Sequence, residues 1–429
     1  MTQVPERIQD VEFYAEDHTR VINEAPPGLL PELAPATKGR PLPGRGPPRM
    51  AEFMGTAKPF ADGGGLCSPG RWAPEKRHSK DRGLYGLRDL LYAHYVKGLE
   101  VSTLSARDFA IRLAACRVTE CPFDAQHLDA ARSIIADFLC LGPSSTSATA
   151  GQVLRLDLIR GLLTKVGDPD APLFEDLRHG VPLGVDMQMP RTPDVFEEKA
   201  KWKLEETDGP GEPERANYGT LGDHIQEVKT LFKEEAKLGW MREYDDHEAK
   251  KIYGENLFIA ALAVVKEPGK IRVVHDGSNV VRVNHRIRPR DQTRSPGAGD
   301  LRRILRDRAA AGSKMFAIAG DISKAHRRIK IREQDWGFQA CRLEHGKTWV
   351  NCVGTYGMGS AAYWWARSAA AMLIRLPHYL LGPDLLLELL LYVDDFLILA
   401  RTGPQVEAAG FLIFVFVVLG VPFSWRYRA

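Results

Sequence analysis

The sequence contains little cysteine. Six cysteines in 429 residues, at irregular spacings, do not form a disulfide framework, which favours a reducing compartment over the class of small disulfide-stapled secreted domains. Cys116, Cys121, His127 and Cys140 fit no common zinc-binding spacing, and two of these cysteines close apolar helical stretches. For these four side chains the sequence favours packing over metal binding.

The sequence also lacks an excess of one charge and an apolar run of membrane length. The 58 Lys and Arg against 55 Asp and Glu leave a formal charge of +3, so only local patches can indicate a charged partner. The uncharged run GFLIFVFVVLGVPF has 14 residues, fewer than the ~20 that a bilayer span needs, and indicates a buried core element. The N-terminus, MTQVPERIQDVEFYAED, has no apolar core of a signal peptide. We expect an intracellular protein of cytoplasm or nucleus, without a membrane partner.

Composition divides the chain into four parts. Residues 1–82 are dense in Pro and Gly and are predicted to be disordered. Residues 83–167 carry apolar side chains at helical spacing, with Ser105 as a helix cap, and form a small all-α region without a recognisable catalytic group. Residues 168–215 hold thirteen acidic and six basic side chains, which predicts a solvated acidic linker or a loosely packed lead-in. Residues 216–429 carry the chemistry.

The last part begins with an amphipathic helix and then changes to the period of strands. The segment LFIAALAVVKEPGKIRVVHDG contains two β-rich runs joined by a Glu-Pro-Gly-Lys turn. This pattern predicts an antiparallel hairpin from Ala261 to Asp276 that turns at Glu267 to Lys270.

Two later apolar segments carry aspartates. MFAIAGDISKAH places Asp321 at the end of a strand, and LLLYVDDFLILA places Asp394 and Asp395 between two apolar half-strands. Buried acids are costly unless they are paired or bind cations. A hairpin tip beside Asp321 would gather carboxylate oxygens for two Mg²⁺ ions ~4 Å apart, which can activate a hydroxyl and stabilise a leaving pyrophosphate. The alternatives are a solvated Asp-Asp turn and a helix-capping Asp321.

Five segments resemble the sequence boxes of reverse transcriptases. Tyr392-Val393-Asp394-Asp395 resembles the YxDD box, here YVDD, and residues 321–325 resemble the first catalytic box. Residues 270–276 resemble the fingers hairpin, and residues 356–362 the loop and helix that contact template and nucleotide. Residues 419–425 resemble the strand after the catalytic hairpin. The order matches that of the family, and retroelement enzymes are the most similar in the first box.

The resemblance implies an α+β fold, the fingers and palm of a right-hand polymerase, with an antiparallel sheet and packed helices. The implied activity is that of an RNA-directed DNA polymerase, a nucleotidyltransferase, within a retrotransposon. It implies two Mg²⁺ ions, with Mn²⁺ as an alternative, and as partners an RNA or DNA template with its primer and deoxynucleoside triphosphates. The other hypothesis is a non-catalytic nucleic-acid-binding remnant of such an element.

The resemblance also assigns roles to residues. Asp321, Asp394 and Asp395 would be catalytic and hold the metals, together with the backbone of Ile322. The implied nucleotide-binding residues are Lys266, Lys270, Arg272, Ile322, Ser323, His326, Tyr356 and Gly357. Among them Arg272, with Lys270 or Lys266, would clamp the triphosphate. His326 stands where relatives carry Phe or Tyr as a gate against the 2′-hydroxyl, which leaves the sugar selectivity open. Gly357 would let the backbone approach the new base pair closely.

Two further expectations concern the surface and the end of the chain. Residues 282–308 hold nine Arg and three Asp, an excess that suits phosphate contacts but also a solvated face. Compared with the family, no segment for a thumb, primer grip or RNase H domain follows Trp425. We therefore expect little or no primer extension from this chain alone, and an apolar run, Phe411 to Phe423, without its usual cover.

Overall fold

The protein is described by a computed structural model that covers residues 84–191, 197–198, 211–267, 269–292, 295–310, 312, 315–382, 385, 387–401 and 403–425. The predicted disorder of residues 1–82 lies outside the described residues. The described chain is a mixed α+β protein in which helices pack against two main sheets.

The α-helices are Tyr85–Val101 (α1), Ala106–Ala114 (α2), Ala125–Phe138 (α3), Leu156–Val166 (α4), Leu173–His179 (α5), Gly219–Gly222 (α6), Ile225–Lys237 (α7), Asp246–Tyr253 (α8), Ala298–Ala310 (α9), Gly359–Ala369 (α10), Leu376–Leu381 (α11) and Pro404–Val418 (α12). The strands are Glu197–Glu198 (β1), Met241–Asp245 (β2), Ile259–Glu267 (β3), Lys270–Asp276 (β4), Asp291–Gln292 (β5), Met315–Asp321 (β6), Ala340–Glu344 (β7), Lys347–Asn351 (β8), Glu388–Tyr392 (β9) and Asp395–Arg401 (β10). Short 3₁₀ turns occupy Pro143–Thr146, Gly254–Asn256, Val283–Arg286, Ala325–Arg328 and Glu333–Gln339, and a π turn, Ala370–Arg375, joins α10 to α11.

A five-stranded sheet has the order β2-β8-β7-β3-β4. Its β3–β4 hairpin pairs Ala261 with Asp276 and Glu267 with Lys270, which confirms the hairpin and the turn predicted from the sequence. Helix α7 covers one face of this sheet through Val228 and Phe232, and the Phe232 ring meets the Trp349 ring edge-on at 5.4 Å. A small separate core therefore supports the hairpin.

A three-stranded antiparallel sheet has the order β6-β10-β9. Its apolar residues, such as Ile318 and Ile398, pair directly and are buried. Strand β6 lies more than sixty residues before the β9–β10 hairpin in sequence, and β10 is the central strand between β6 and β9. Because the sheet is apolar, it fixes the register of the acidic residues at its end.

The helices of the N-terminal region share one core with the three-stranded sheet, and their positions confirm the helical spacing seen in the sequence. The rings of Tyr95 and Phe123 lie 5.4 and 4.8 Å from the ring of Phe414 in α12. Helix α12 is apolar all round and is buried, as expected for a helix without a polar face. The expectation that residues 411–423 lack a cover was wrong, because α1, α2 and α3 cover them.

Local signals in the N-terminal region also hold. Ser105 caps α2, because its hydroxyl accepts a hydrogen bond from the Asp108 backbone while the Asp108 carboxylate accepts one from the Ser105 backbone. Among the residues that the structure describes, no helix has the length and apolar content to cross a membrane.

The predicted acidic linker is partly a core segment. Asp168 and Asp170 are buried and bind the guanidinium of Arg375, at 2.7 and 2.6 Å, while Arg367 binds Asp170 at 2.7 Å. Tyr379 donates a further hydrogen bond to Asp168. The linker interpretation was wrong for this stretch. Acidic composition alone does not reveal a buried cationic partner such as Arg375, about two hundred residues later in the chain.

Candidate active site at a carboxylate hairpin

The tip of the β9–β10 hairpin lies beside the end of β6. Asp395 is the register partner of both Asp321 and Tyr392, so the two antiparallel pairs end together. Residues directly opposite each other on antiparallel strands project from the same face, with Cβ atoms roughly 4.5–5.5 Å apart. The two aspartates of different segments are therefore neighbours, as the sequence predicts, and Asp394 occupies the turn between the strands.

Backbone hydrogen bonds fix the turn from two sides. The Ile322 amide donates to the Asp394 carbonyl at 2.9 Å. The Trp365 indole donates to the carbonyl of Val393 at 2.6 Å. Val393 has a φ of 57°, which is unfavourable for a β-branched side chain and persists only where neighbours hold it.

A third segment, residues 422–424, also contacts the backbone of the site. Phe423 bridges to Ile322, the Ser323 amide donates to Pro422 and the Ser424 amide donates to Asp321. The backbone on both sides of Asp321 is thus held in place, and the Ile322 side chain is fully buried, so that only its backbone can serve a ligand.

Asp394 and Asp321 interact electrostatically. Burial raises the pKa of Asp394 above its ordinary value, and the negative charge of Asp321 raises it further, whereas Arg272 and Lys270 act in the opposite direction. Two carboxylates that repel each other in a half-buried place form a site for a cation.

The donor set fits a metal that arrives with its substrate. In the described ranges, no group of three or more His, Cys, Asp and Glu side chains could hold a metal ion, and this applies to the three aspartates and to the cysteines considered above. The pair of Asp321 and Asp394 is smaller than such a group. Mg²⁺ commonly takes only one or two protein carboxylates and completes its shell with water and substrate phosphates. The pair therefore offers fewer protein ligands than a preformed metal cluster has.

The β3–β4 hairpin presents cations towards the carboxylates. The pKa of Arg272 is raised, first by its hydrogen bond to Glu267 and also by the charge of Asp394. Glu267 binds both Arg272, at 2.6 Å, and Lys270, at 3.2 Å. Lys266 pairs with Ile271, one register position away from Arg272, so it projects from the opposite face of the hairpin. The structure therefore brings Arg272 and Lys270 together and separates Lys266 from them.

Tyr356 and His326 line the same place. Burial raises the pKa of Tyr356, and the charges of Asp394 and Asp321 raise it further, which places the phenol near the carboxylates. Its side chain is 37% exposed, so it is not a core aromatic. The His326 ring lies edge-on to it at 5.2 Å, and both ring nitrogens of His326 are buried without a hydrogen-bond partner in the described structure. Burial lowers the pKa of His326, which keeps the imidazole neutral at pH 7.

Gly357 has an explanation within the protein. Its φ is 96°, and a Cβ there would lie 1.9 Å from the carbonyl oxygen of His275 in β4. Asn284 bridges the same loop, since its amide nitrogen donates to the Gly357 carbonyl at 2.6 Å and its oxygen accepts from the Gly359 amide at 2.8 Å. The glycine lets the loop approach the hairpin closely, a role that the sequence did not indicate.

Four of the nine arginines of residues 282–308 fall into two sets. Arg286 pairs with Asp186 and stacks on Phe258 and Phe338, each at 5.3 Å, so it stabilises the fold. Arg302, Arg303 and Arg306 lie on α9, at least partly exposed, and no ion pair holds them within the described chain. The second set is available for phosphates.

Sequence reasoning did not find three residues of the site. Trp365 and Asn284 were given no role there, and Glu267 was expected only to form a turn. Each acts through a partner far away in sequence, and a residue's own neighbours give no signal of such a partner. The nearest indication in the sequence was Trp365 itself, a tryptophan in the segment that precedes the apolar hairpin.

The chain matches no protein-family model and no curated protein. It is similar to solved structures of foamy virus protease-reverse transcriptase. The selenomethionine-labelled CSH mutant of the prototype foamy virus protein is 17% identical, with a TM-score of 0.37, over 53% of this chain and 26% of that one. The dRH form in complex with double-stranded DNA is 13% identical, with a TM-score of 0.36, over 60% and 39%. The native prototype protein is 15% identical, with a TM-score of 0.34, over 53% and 26%. The chain thus spans well under half the length of these proteins.

Proposed function

We propose that residues 216–429 form the fingers and palm of an RNA-directed DNA polymerase of a retroelement. The observation that carries this proposal is the register of β6 and β10, which sets Asp321 opposite Asp395 with Asp394 at the tip between them. The five-stranded sheet with its cationic hairpin corresponds to the fingers, and the three-stranded sheet to the palm. The alternative of a solvated Asp-Asp turn gives no reason for a cationic hairpin whose Arg272 acts to lower the pKa of Asp394.

The carboxylates have a defined task in this proposal. Asp321, Asp394 and Asp395, with the backbone of Ile322, would hold two Mg²⁺ ions, or Mn²⁺ in their place, with substrate oxygens and water completing the shell of each ion. When bound, such ions activate a primer hydroxyl and stabilise the leaving pyrophosphate. The protein supplies fixed backbone positions for these acids through the hydrogen bonds of Ile322 and Trp365.

The fingers hairpin binds the nucleotide. Arg272 and Lys270 contact the triphosphate of a deoxynucleotide, and the phosphate oxygens replace Glu267 as their partner. The backbone of Ser323 follows the first metal ligand and lies beside the nucleotide. Tyr356 and His326 lie next to the sugar, where the neutral imidazole offers both a donor and an acceptor to a hydroxyl.

The partners are a template strand, of RNA or DNA, and its primer. The arginines of α9 that no ion pair holds among the described residues, Arg302, Arg303 and Arg306, contact backbone phosphates, which makes binding sensitive to salt. The alternative, a non-catalytic nucleic-acid-binding remnant, keeps this binding but has no metal-dependent use for the carboxylates.

The test is equilibrium binding of a fluorescent deoxynucleoside triphosphate to the chain with a primer–template, in Mg²⁺ and in EDTA. We expect Mg²⁺-dependent binding that Asp394→Asn weakens by at least about tenfold, the effect of losing one charged ligand contact. The control Asp223→Asn removes an exposed acid near α7 and leaves binding unchanged. Primer extension on an RNA template by the chain completed with the downstream region of a relative, abolished by Asp394→Asn, tests the chemistry. Nucleic-acid binding that is retained while nucleotide binding is equal in both buffers would favour the remnant.

A further inference from the structure

Arg328 is a buried arginine without an acidic partner. The residue is 6% exposed, and its Nε and Nη2 both donate to one acceptor, the carbonyl of Ser323, at 3.3 and 3.1 Å. Within the described residues, no Asp or Glu forms an ion pair with it. Burial lowers the pKa of Arg328 to about 10, so the guanidinium still carries its charge at neutral pH.

The surroundings of Arg328 hold an excess of positive charge. Lys324, Arg327 and Arg328 all lie near the Trp240 ring, with their charged groups 5.1, 5.9 and 4.9 Å from its centroid. The only acid paired with this cluster in the described chain is Glu235, which binds Arg327 and lies 3.6 Å from Lys324. Three cations thus share one carboxylate.

The members of the cluster differ in what they still can bind. Arg327 is engaged by Glu235, by Asn351 at 2.7 Å and by the Gly354 carbonyl. Lys324 is 43% exposed and reaches solvent. An uncompensated buried charge is strongly destabilising, so its presence indicates a ligand that supplies the missing negative charge.

The cluster lies beside the carboxylate hairpin. Arg328 ends the 3₁₀ turn Ala325–Arg328, and its guanidinium binds the carbonyl of Ser323, which follows Asp321 by two residues. The fork of an arginine matches phosphate oxygens in a two-point contact.

We propose that Arg328, with Lys324 beside it, forms a second phosphate-binding site next to the carboxylates, distinct from the hairpin cations Lys270 and Arg272. The ligand is a phosphate group, either of a nucleotide or of a nucleic-acid strand. The inference rests on the proposed function for the source of that phosphate. The site itself is defined by three features of the fold: a buried cation, a tryptophan ring beside it, and an acid that already binds another arginine.

The experiment uses the full 429-residue chain in EDTA, with two probes: inorganic tripolyphosphate, followed by thermal shift, and a 5′-labelled single-stranded DNA, followed by fluorescence anisotropy. Arg328→Met removes the charge and keeps the apolar stem over Trp240. We expect the affinity for at least one probe to fall by about tenfold or more, while the unliganded melting temperature stays equal or rises.

Two controls separate this site from a general loss of charge. Arg242→Met removes an arginine that also lies over a tryptophan ring, Trp336 at 4.7 Å, but that is paired with Glu333; binding of both probes is expected to persist. Arg327→Met removes the partner of Glu235 and is expected to lower the melting temperature.

The outcomes are distinct. Loss of tripolyphosphate binding alone assigns the site to nucleotide phosphates, loss of DNA binding alone assigns it to a strand, and either supports the site. Wild-type affinity of Arg328→Met for both probes overturns it. Should that variant not fold, Arg328→Gln removes the charge and keeps a hydrogen-bonding side chain, and unchanged affinity for both probes has the same meaning. Because the assay contains no metal, it measures this binding independently of whether the polymerase proposal holds.

Discussion

The indole of Trp365 donates a 2.6 Å hydrogen bond to the carbonyl of Val393, the residue before the first aspartate of the hairpin. Trp365 is fully buried in α10, whereas Val393 lies at an exposed tip with a φ of 57°. The bond links a rigid helix to a strained turn. It therefore sets the direction in which Asp394 leaves the sheet.

Trp365→Phe tests this link, because it removes the donor and keeps most of the ring. We expect a loss of about 1–3 kcal/mol in unfolding free energy from the unpaired Val393 carbonyl. We also expect weaker Mg²⁺-dependent nucleotide binding, because the turn is free to relax. Chemical denaturation and nucleotide titration measure the two effects.

The neighbouring tryptophan gives a matched control. Trp364 is also buried in α10, and its indole donates to the Pro182 carbonyl at 2.8 Å, away from the hairpin. Trp364→Phe is expected to cost a similar stability and to leave nucleotide affinity intact. Equal losses of affinity in both variants would show that Trp365 acts only on the fold.

Glu267→Gln concerns the cations of the β3–β4 hairpin. Glu267 holds Arg272 and Lys270, and its pKa is lowered by these two contacts. Removing its charge frees both cations for phosphate, so we expect nucleotide affinity to increase by up to about fivefold at low salt, the range of an exposed ion pair. The control Glu344→Gln breaks an exposed pair with Lys229 on the same sheet and is expected to have no effect. A lower affinity for Glu267→Gln would mean that the glutamate orients Arg272 for its ligand.

For Asp394→Asn we expect a pH-dependent change in the stability of the metal-free chain. The folded-state pKa of Asp394 is raised, first by burial and then by Asp321, so its ionisation opposes folding. That cost is absent below the unfolded pKa of about 4 and is fully present above the raised pKa. In EDTA at pH 7 we expect the variant to melt at a higher temperature than the wild type, with the difference shrinking towards pH 4. A difference that grows on acidification would contradict the assignment.

Arg375→Met tests the buried ion network between α4–α5 and α11. Its removal leaves Asp168 and Asp170 buried without their main cation, which costs about 3–5 kcal/mol in unfolding free energy. Arg88→Met breaks a surface pair with Asp89 and serves as the control, with an expected loss below about 1 kcal/mol. Urea denaturation measures both. A small effect at Arg375 would show that Arg367 and Tyr379 are sufficient partners for the two acids.

Local patterns predicted the parts of the fold that depend on near neighbours. The Glu-Pro-Gly-Lys turn set the register from Ala261 to Asp276, and Ser105 with Asp108 set the start of α2. The position of Asp321 beside the Asp394–Asp395 hairpin was also expected from sequence, because acids inside apolar strands are costly without a partner or a cation. These signals lie within a few residues of what they determine.

Distant pairings were not predicted, for a physical reason. In the sequence, Asp168 does not differ from other linker acids, although Arg375 binds it in the fold. Lys266 likewise does not differ from Lys270, although the strand register places the two side chains on different faces. Alternation along a strand gives the two faces, but only the packed structure shows which face meets the carboxylates. The same limit hid the cover of the apolar run near Phe414.

Helix α12 has a consequence for how the protein is made. It fills the aromatic pocket of Tyr95, Phe109 and Phe123, yet a ribosome produces it long after α1–α3. At about 5–20 residues per second, the roughly 300 residues between Phe109 and Phe411 correspond to a delay on the order of 15–60 s. During synthesis the N-terminal helices therefore expose an aromatic surface that is prone to aggregation. A chaperone that binds such surfaces would determine how much of the chain reaches its native state.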